Sequence, residues 1–267
     1  MQVIELQWWQ LGLAVLMVLM LAWFSHQARL GISRSLLVAT LRTLIQLALI
    51  GLVLELLFSV GSLLWVAVMA LVMLLLAGRE VVARQRRRLT GRWAYGIGTL
   101  SMFVSSFSVA IITLVVLVGP DPWYTPQYAI PLLGMLLGNT MTGVALSLDR
   151  LTEQTWQQRQ IIENRLMLGQ HWSQAIEPIR REAMRSGMIP SINAMAAAGI
   201  ISLPGMMTGQ ILAGTPPALA VKYQILIMLI ITLGTGLGSL LAVIMGSRRL
   251  FDERQRLRLD RLQSPVN

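Results

Sequence analysis

GIISLPGMMTGQILAG, residues 199–214, begins as an apolar run, is interrupted by Pro204 and Gly205, and resumes with Met206, Met207 and Thr208. Proline lacks the backbone donor that a helix interior uses and clashes with the preceding turn, so a helix entering this stretch does not pass through it unbroken. In lipid, the freed backbone groups are tolerated only where they face protein or a water-filled cavity. The stretch is therefore either a loop between helices or a broken membrane segment lining a path. Its flank favours the second. Pro190 suits a first helical turn, Asn193 follows it, and Pro204 stands roughly 21 Å further along at 1.5 Å per residue. This spacing predicts a kink at Pro204 and Gly205 lining the outer part of a path, with Met206 and Met207 as gate or lining residues.

The surrounding composition supports a membrane setting. Of 267 residues, 55% are hydrophobic and only 13% charged, against roughly 25% charged in a soluble domain. Seven apolar stretches are long enough, or nearly so, to cross a hydrocarbon core that takes about 20 helical residues. They run over 8–24, 38–60, 63–77, 94–118, 128–148, 188–213 and 223–245, the third being the shortest. The runs are continuous rather than alternating, which points to helices and not to a barrel. The expectation is an all-α polytopic protein of seven helices, a single permease-like domain over 1–267. MQVIELQWWQ at the start carries Glu5 and no base, unlike a cleavable signal.

The net charge of +10 is distributed by topology. Arg29, Arg34 and Arg42 flank the first two segments, and the other arginines cluster over 79–92, 150–185 and 248–261. Only Lys222 falls on the opposite side. By the positive-inside rule the amino terminus is outside and the carboxyl terminus cytoplasmic. RQRRRL carries no aromatic and RRLFDERQRLRL only Phe251, so they are read as topology signals facing anionic lipid and not as a nucleic-acid surface. The absence of cysteine excludes disulfides and thiolate metal sites.

External links are short, whereas a cytoplasmic connection covers 149–187. Within it Ile162, Leu166 and Gly169, then Trp172, Ile176 and Ile179, recur at helical intervals, and Glu177 and Arg181 stand four apart. Two short amphipathic helices around Gly169 are expected, either lying on the membrane or docking into a groove of a cytoplasmic partner.

ENRLMLG, residues 163–169, resembles the cytoplasmic coupling loop of ABC transporter permeases, with Glu163 opening the pattern, Gly169 six residues later and Ile179 at the further position. Asn164 and Arg165 stand where that pattern has alanines, and Arg181 and Glu182 where it has Leu-Pro. LRTLIQLALIGLVLELLF, IPLLGMLLGNTMTGVALSLDRL, IPSINAMAAAGIISLPGMMTGQILAG and AVKYQILIMLIIT together look like the FetB-type iron-export permease family, which also resembles the membrane partner of plant aluminium-tolerance transporters. The resemblance implies a bacterial inner-membrane subunit, working as a homodimer with a separate cytoplasmic ABC ATPase that binds ATP and Mg2+. Glu163, Leu166, Gly169, Trp172 and Ile179 are the implied coupling residues. Other implied alternatives are a permease of the same build moving another metal or a nucleotide sugar, and a scaffold without transport.

The residues agree with external power. Lys222 is followed by Tyr223, so no phosphate-cradling Gly-rich loop ending in Lys and Ser or Thr exists in this chain. Carboxylates and histidines of the kind used for proton coupling or hydrolysis do not cluster inside the segments, so the chain is read as a transport subunit with no cofactor of its own. In the fifth segment Gly134, Gly138 and Thr142 form a small-residue stripe suited to helix packing, while Met135, Asn139 and Thr142 share an adjoining face near mid-membrane. Asn139 is either a bridge to a neighbouring helix or a contact for solute. Arg42 and Gln46 lie four apart and are either a snorkelling pair or a clamp at the inner mouth, partnered by Asp149. Thioethers suit Cu(I) better than Fe(II), so the methionines are held as lining and not as ligands.

Overall fold

A chain with no water to hydrogen-bond its backbone must close those bonds within each segment, and the apolar runs do so as helices. The computed structural model describes residues 7–264, so Met1 to Leu6, with Glu5, lie outside the described residues. The helices are α1 (Trp8–Gln27), α2 (Ser33–Val60), α3 (Leu63–Ala83), α4 (Trp93–Val118), α5 (Pro126–Gln157), α6 (Arg159–Met167), α7 (Trp172–Ala175), α8 (Glu177–Ala197), α9 (Gly205–Leu212) and α10 (Pro217–Arg249). A 3-10 turn, Leu259–Arg261, follows, and no strand occurs among the described residues. The molecule is all-α and polytopic.

Six helices, α1 to α5 and α10, are long and apolar enough to cross a membrane. The seventh expected span is not one helix. Its first part, from Met188, is the end of α8, which begins before the expected span at Glu177, carries Arg180, Arg181 and Arg185 ahead of it and stops at Ala197. A turn over 198–204 intervenes before α9. The break is thus a seven-residue interruption and not a kink at Pro204. Gly199 takes φ +82°, a conformation that glycine adopts without a Cβ penalty, and Ala198 pairs with Ser202. Helix α3 continues six residues past its expected end at Ala77, because Arg79 and Glu80 mark the exit from lipid and leave the backbone helical.

Helices α5, α8 and α10 form the centre, and small residues let them approach. A Cβ on Gly143 would collide with Thr235 of α10, and one on Gly187 of α8 with Ser147 and the Gly143 carbonyl. The stripe expected from Gly134, Gly138 and Thr142 is not this contact, since a Cβ at Gly138 would meet nothing within 4 Å. The close face is offset, through Thr140, Gly143 and Ser147. One apolar core fills the half nearer the 149–187 connection around Val81, Ile97, Val144, Leu148, Ile176 and Val243, and a second fills the opposite half around Val66, Leu114, Leu133 and Ile230. Helix α1 packs on α2, which reaches the second core through Leu54, Leu57 and Phe58.

At the same end as the 149–187 connection the carboxyl-terminal segment hooks back. Thr90 N–H donates to the Arg261 carbonyl (2.8 Å) and Gln263 N–H to that of Arg88 (2.8 Å). Arg87, buried, stacks 4.2 Å from the Trp156 ring and pairs with Glu153 at 3.6 Å.

Candidate functional site

The break positions the site. Asn139 on α5, the 202–206 stretch and one face of α10 enclose a cavity of about 310 Å3. Five residues expected along the path meet there: Met135, Asn139, Pro204, Gly205 and Met206. Asn139 donates from Nδ2 to the Met135 carbonyl (2.8 Å), which fixes its amide along α5 and does not bridge to another helix. A second cavity of about 340 Å3 is walled by Gln127, Tyr128, Gln210, Thr215 and Tyr223 and shares Met135, Met206 and Ile227 with the first. The two thioether side chains therefore stand at the partition between an inner chamber, the one nearer the 149–187 connection, and an outer chamber at the opposite end.

Three expected path residues lie elsewhere. Thr142 bonds to the Gly138 carbonyl (3.1 Å) and accepts from Arg84 (3.4 Å). Asn193 is exposed between the lining residues Ser191 and Ala194 and is not itself in the lining. Met207 is half-buried outside the lining. Sequence reasoning also missed Gln224, Met228 and Thr232 on α10, all lining the inner cavity. Their spacing of four was the available signal. Thr232 donates to the Met195 sulfur and the Met228 carbonyl, both at 2.9 Å. Among the described residues no group of three His, Asp or Glu stands where it could hold a metal ion.

The inner-mouth clamp is corrected. Arg42 pairs with Glu80 of α3 at 2.6 Å, while Asp149 accepts from the Arg86 backbone N–H at 2.7 Å. Asp149 is occupied by the loop after α3, and Arg42 joins α2 to α3 instead. Gln46 is exposed one turn along α2.

The coupling segment is helical on both sides of Gly169, whose φ of +85° ends α6. Gln170 N–H returns to the Arg165 carbonyl (3.1 Å), closing the helix end as a left-handed cap does. Glu163, Leu166 and Gly169 border a surface hollow with Arg254 and Leu257. Trp172 stacks 5.4 Å from Phe251, and its backbone N–H donates to the Gln255 Oε1 (3.2 Å). Ile179 departs from expectation: at 3% exposure it belongs to the core, because its position on α8 faces the bundle. Met167 and Leu168, 78% and 83% exposed, form the apolar tip.

The broken helix, the chamber beside it and the projecting segment occur in one chain whose residues 8–251 match the Uncharacterised protein family (UPF0014). The chain belongs to UPF0014. Members of UPF0014 similar to it include the membrane protein slr1647 of Synechocystis, 39% identical over 95% of this chain and 97% of that one. "Probable iron export permease protein FetB" of Escherichia coli K12 is 30% identical over 95% of each chain. "Protein ALUMINUM SENSITIVE 3" of Arabidopsis thaliana is 31% identical over 80% of this chain and 77% of its own. No solved structure matches the chain.

Proposed function

We propose that this chain is the membrane-spanning permease subunit of an ABC-type transporter that exports iron, working in the inner membrane as a homodimer with a separate cytoplasmic ATPase. In this reading ATP and Mg2+ bind to the partner. The observation that carries it is the α8–α9 break set against Asn139 and Gln224. Broken helices are tolerated in membranes where they line a cavity, and transporters place substrate sites beside such half-helices. Likeness to the protein named as an iron export permease, along almost the full length of both chains, supports the cargo.

The segment over 149–187 supplies the mechanical link. Its apolar tip at Met167 and Leu168 suits insertion into a groove of the ATPase, and Trp172 joins the segment to the carboxyl-terminal hook. Alternation of the two chambers across Met135 and Met206 then moves solute outward.

The test is reconstitution of the chain with its ATPase in vesicles loaded with iron. ATP-dependent loss of iron from the side bearing the coupling segment is expected. Iron retention alongside efflux of aluminium or of a nucleotide sugar would assign the same build to another solute. ATP hydrolysis indifferent to this chain would reduce it to a scaffold.

A further inference from the structure

Where α4 begins and α10 ends, at the end of the bundle that bears the 149–187 connection, lies a hollow of about 580 Å3. Its lining sets five arginines against two carboxylates, Asp252 and Glu253. Asp252 is taken by Arg256 at 3.0 Å. Arg261 turns to the backbone and donates to the carbonyls of Arg249 (2.8 Å) and Phe251 (3.0 Å), so a cation covers carbonyls at the negative end of α10. Among the described residues Arg248, Arg249 and Arg254 form no ion pair, and Glu253 alone is left to balance them. Cations gathered in one concavity raise the local positive potential, which an anion relieves.

The second observation is apolar. A further hollow, of about 290 Å3, adjoins the first and shares Trp93, Ile97 and Met245 with it. It follows α4 past Gly96 to Leu100, about 10 Å beyond Trp93 at 1.5 Å per residue. Gly96 leaves its floor open, since a Cβ there would meet nothing within 4 Å. Leu100 is exposed on a helix long and apolar enough to cross a membrane. Trp93 stands where the two hollows meet, with the Arg249 guanidinium 4.4 Å from its ring. An indole at the end of a span marks the level between headgroups and hydrocarbon, and the stack holds Arg249 at that seam.

A soluble anion would use the arginines and leave the groove empty, whereas a hydrocarbon tail alone would leave the charges unmet. An anionic phospholipid uses both, because guanidinium groups match phosphate in shape and charge and basic pockets between membrane helices take such headgroups. We propose that the two hollows form one site for a resident anionic phospholipid, its phosphate among Arg248, Arg249 and Arg254 and an acyl chain along Gly96 and Leu100. The site is independent of the solute that the chain moves. Arg254 and Arg256 also border the hollow at Glu163 and Gly169, so the bound lipid braces the carboxyl-terminal hook beside the coupling segment.

The test uses the full chain purified in neutral detergent, with four labelled probes: phosphatidylglycerol, phosphatidylcholine with the same acyl chains, glycerol phosphate and inorganic phosphate. Wild type is expected to retain one phosphatidylglycerol per chain and to bind the other three at least tenfold more weakly. Arg248→Gln combined with Arg254→Gln should weaken phosphatidylglycerol about fivefold for each arginine removed. Gly96→Leu, which fills the groove, should weaken it several-fold and leave inorganic phosphate as in wild type. Arg29→Gln combined with Arg34→Gln removes the same charge from the same end of the bundle, at the α1–α2 link, and should leave retention near the wild-type level. Equal retention of the two lipids by wild type overturns the proposal, and so does an equal loss in the two double variants, which would mean diffuse attraction only. Inorganic phosphate bound as tightly as phosphatidylglycerol, or phosphatidylglycerol binding unmoved by Gly96→Leu, would make the hollow a soluble-anion site and overturn it as well. Thermal unfolding checks each variant, and if one fails to fold, the four probes on wild type still decide.

Discussion

At the scale of single residues, the central contact depends on side chains that are absent. Gly187→Ala should push α8 away from α5, because its methyl would collide with Ser147 and the backbone of Gly143. Overpacking of this kind costs about 1–3 kcal/mol, and a lower thermal midpoint of the purified protein is the expected readout. Gly138→Ala, facing open space, should leave the midpoint unchanged or raise it. Asn139 and Met206 were legible in the sequence because a polar group or a methionine beside a proline stands out in an apolar run. Gln224 was not. It follows directly on Tyr223, where the expected span began, so its amide read as a boundary residue. Ile179 was misassigned for a related reason: helical spacing identifies an apolar face without saying whether that face meets a partner or the chain's own core.

At the scale of elements, the turn over 198–204 changes what mutation of the break achieves. Replacing Pro204 and Gly205 with alanine restores a donor, but Gly199 at φ +82° and the Ala198–Ser202 pairing remain. A continuous helix is therefore not expected, and helix content by circular dichroism should stay at the wild-type level. Export should fall because the N–H gained at the first position and the Cβ gained at the second alter the chamber wall. Gly169 is a cleaner target. Its φ of +85° with nothing within 4 Å of a built Cβ means that Gly169→Val acts through backbone strain and not through collision. ATP hydrolysis should persist while ATP-driven efflux drops several-fold, and unchanged efflux would detach this turn from coupling. The carboxyl-terminal hook adds a pH dependence. The Arg256 backbone N–H (2.8 Å), and then its guanidinium (3.0 Å), hold the Asp252 carboxyl below its ordinary range. A depressed carboxyl stabilises the fold above the unfolded value of about 3.9 and loses that contribution as pH falls through the lower folded value. Asp252→Asn should therefore loosen the hook at pH 7, seen as faster amide exchange over 250–262, and should match wild type once pH has fallen below the depressed folded value.

At the scale of the whole molecule, hydropathy was sufficient for the helical class and for locating the long connection between spans, because lipid imposes that constraint along the sequence itself. The division of the sixth span into two half-helices was only partly legible, since its start is set by a turn pairing that Pro204 alone does not announce. Reporter fusions after Arg88 and Arg254 should report cytoplasm and one after Asp121 the exterior. A cytoplasmic signal at Asp121 would reverse the assignment of the chambers. The hook has a consequence at this scale as well. By fastening residues 261–263 to the α3–α4 link, and by laying Phe251 against Trp172, it makes the inner end of the molecule a braced truss in which a load at the coupling segment is shared by α3, α5 and α10 at once. Phe251→Ala should introduce slack into that truss, so that the ATPase completes its stroke and the chambers move less far for each ATP consumed.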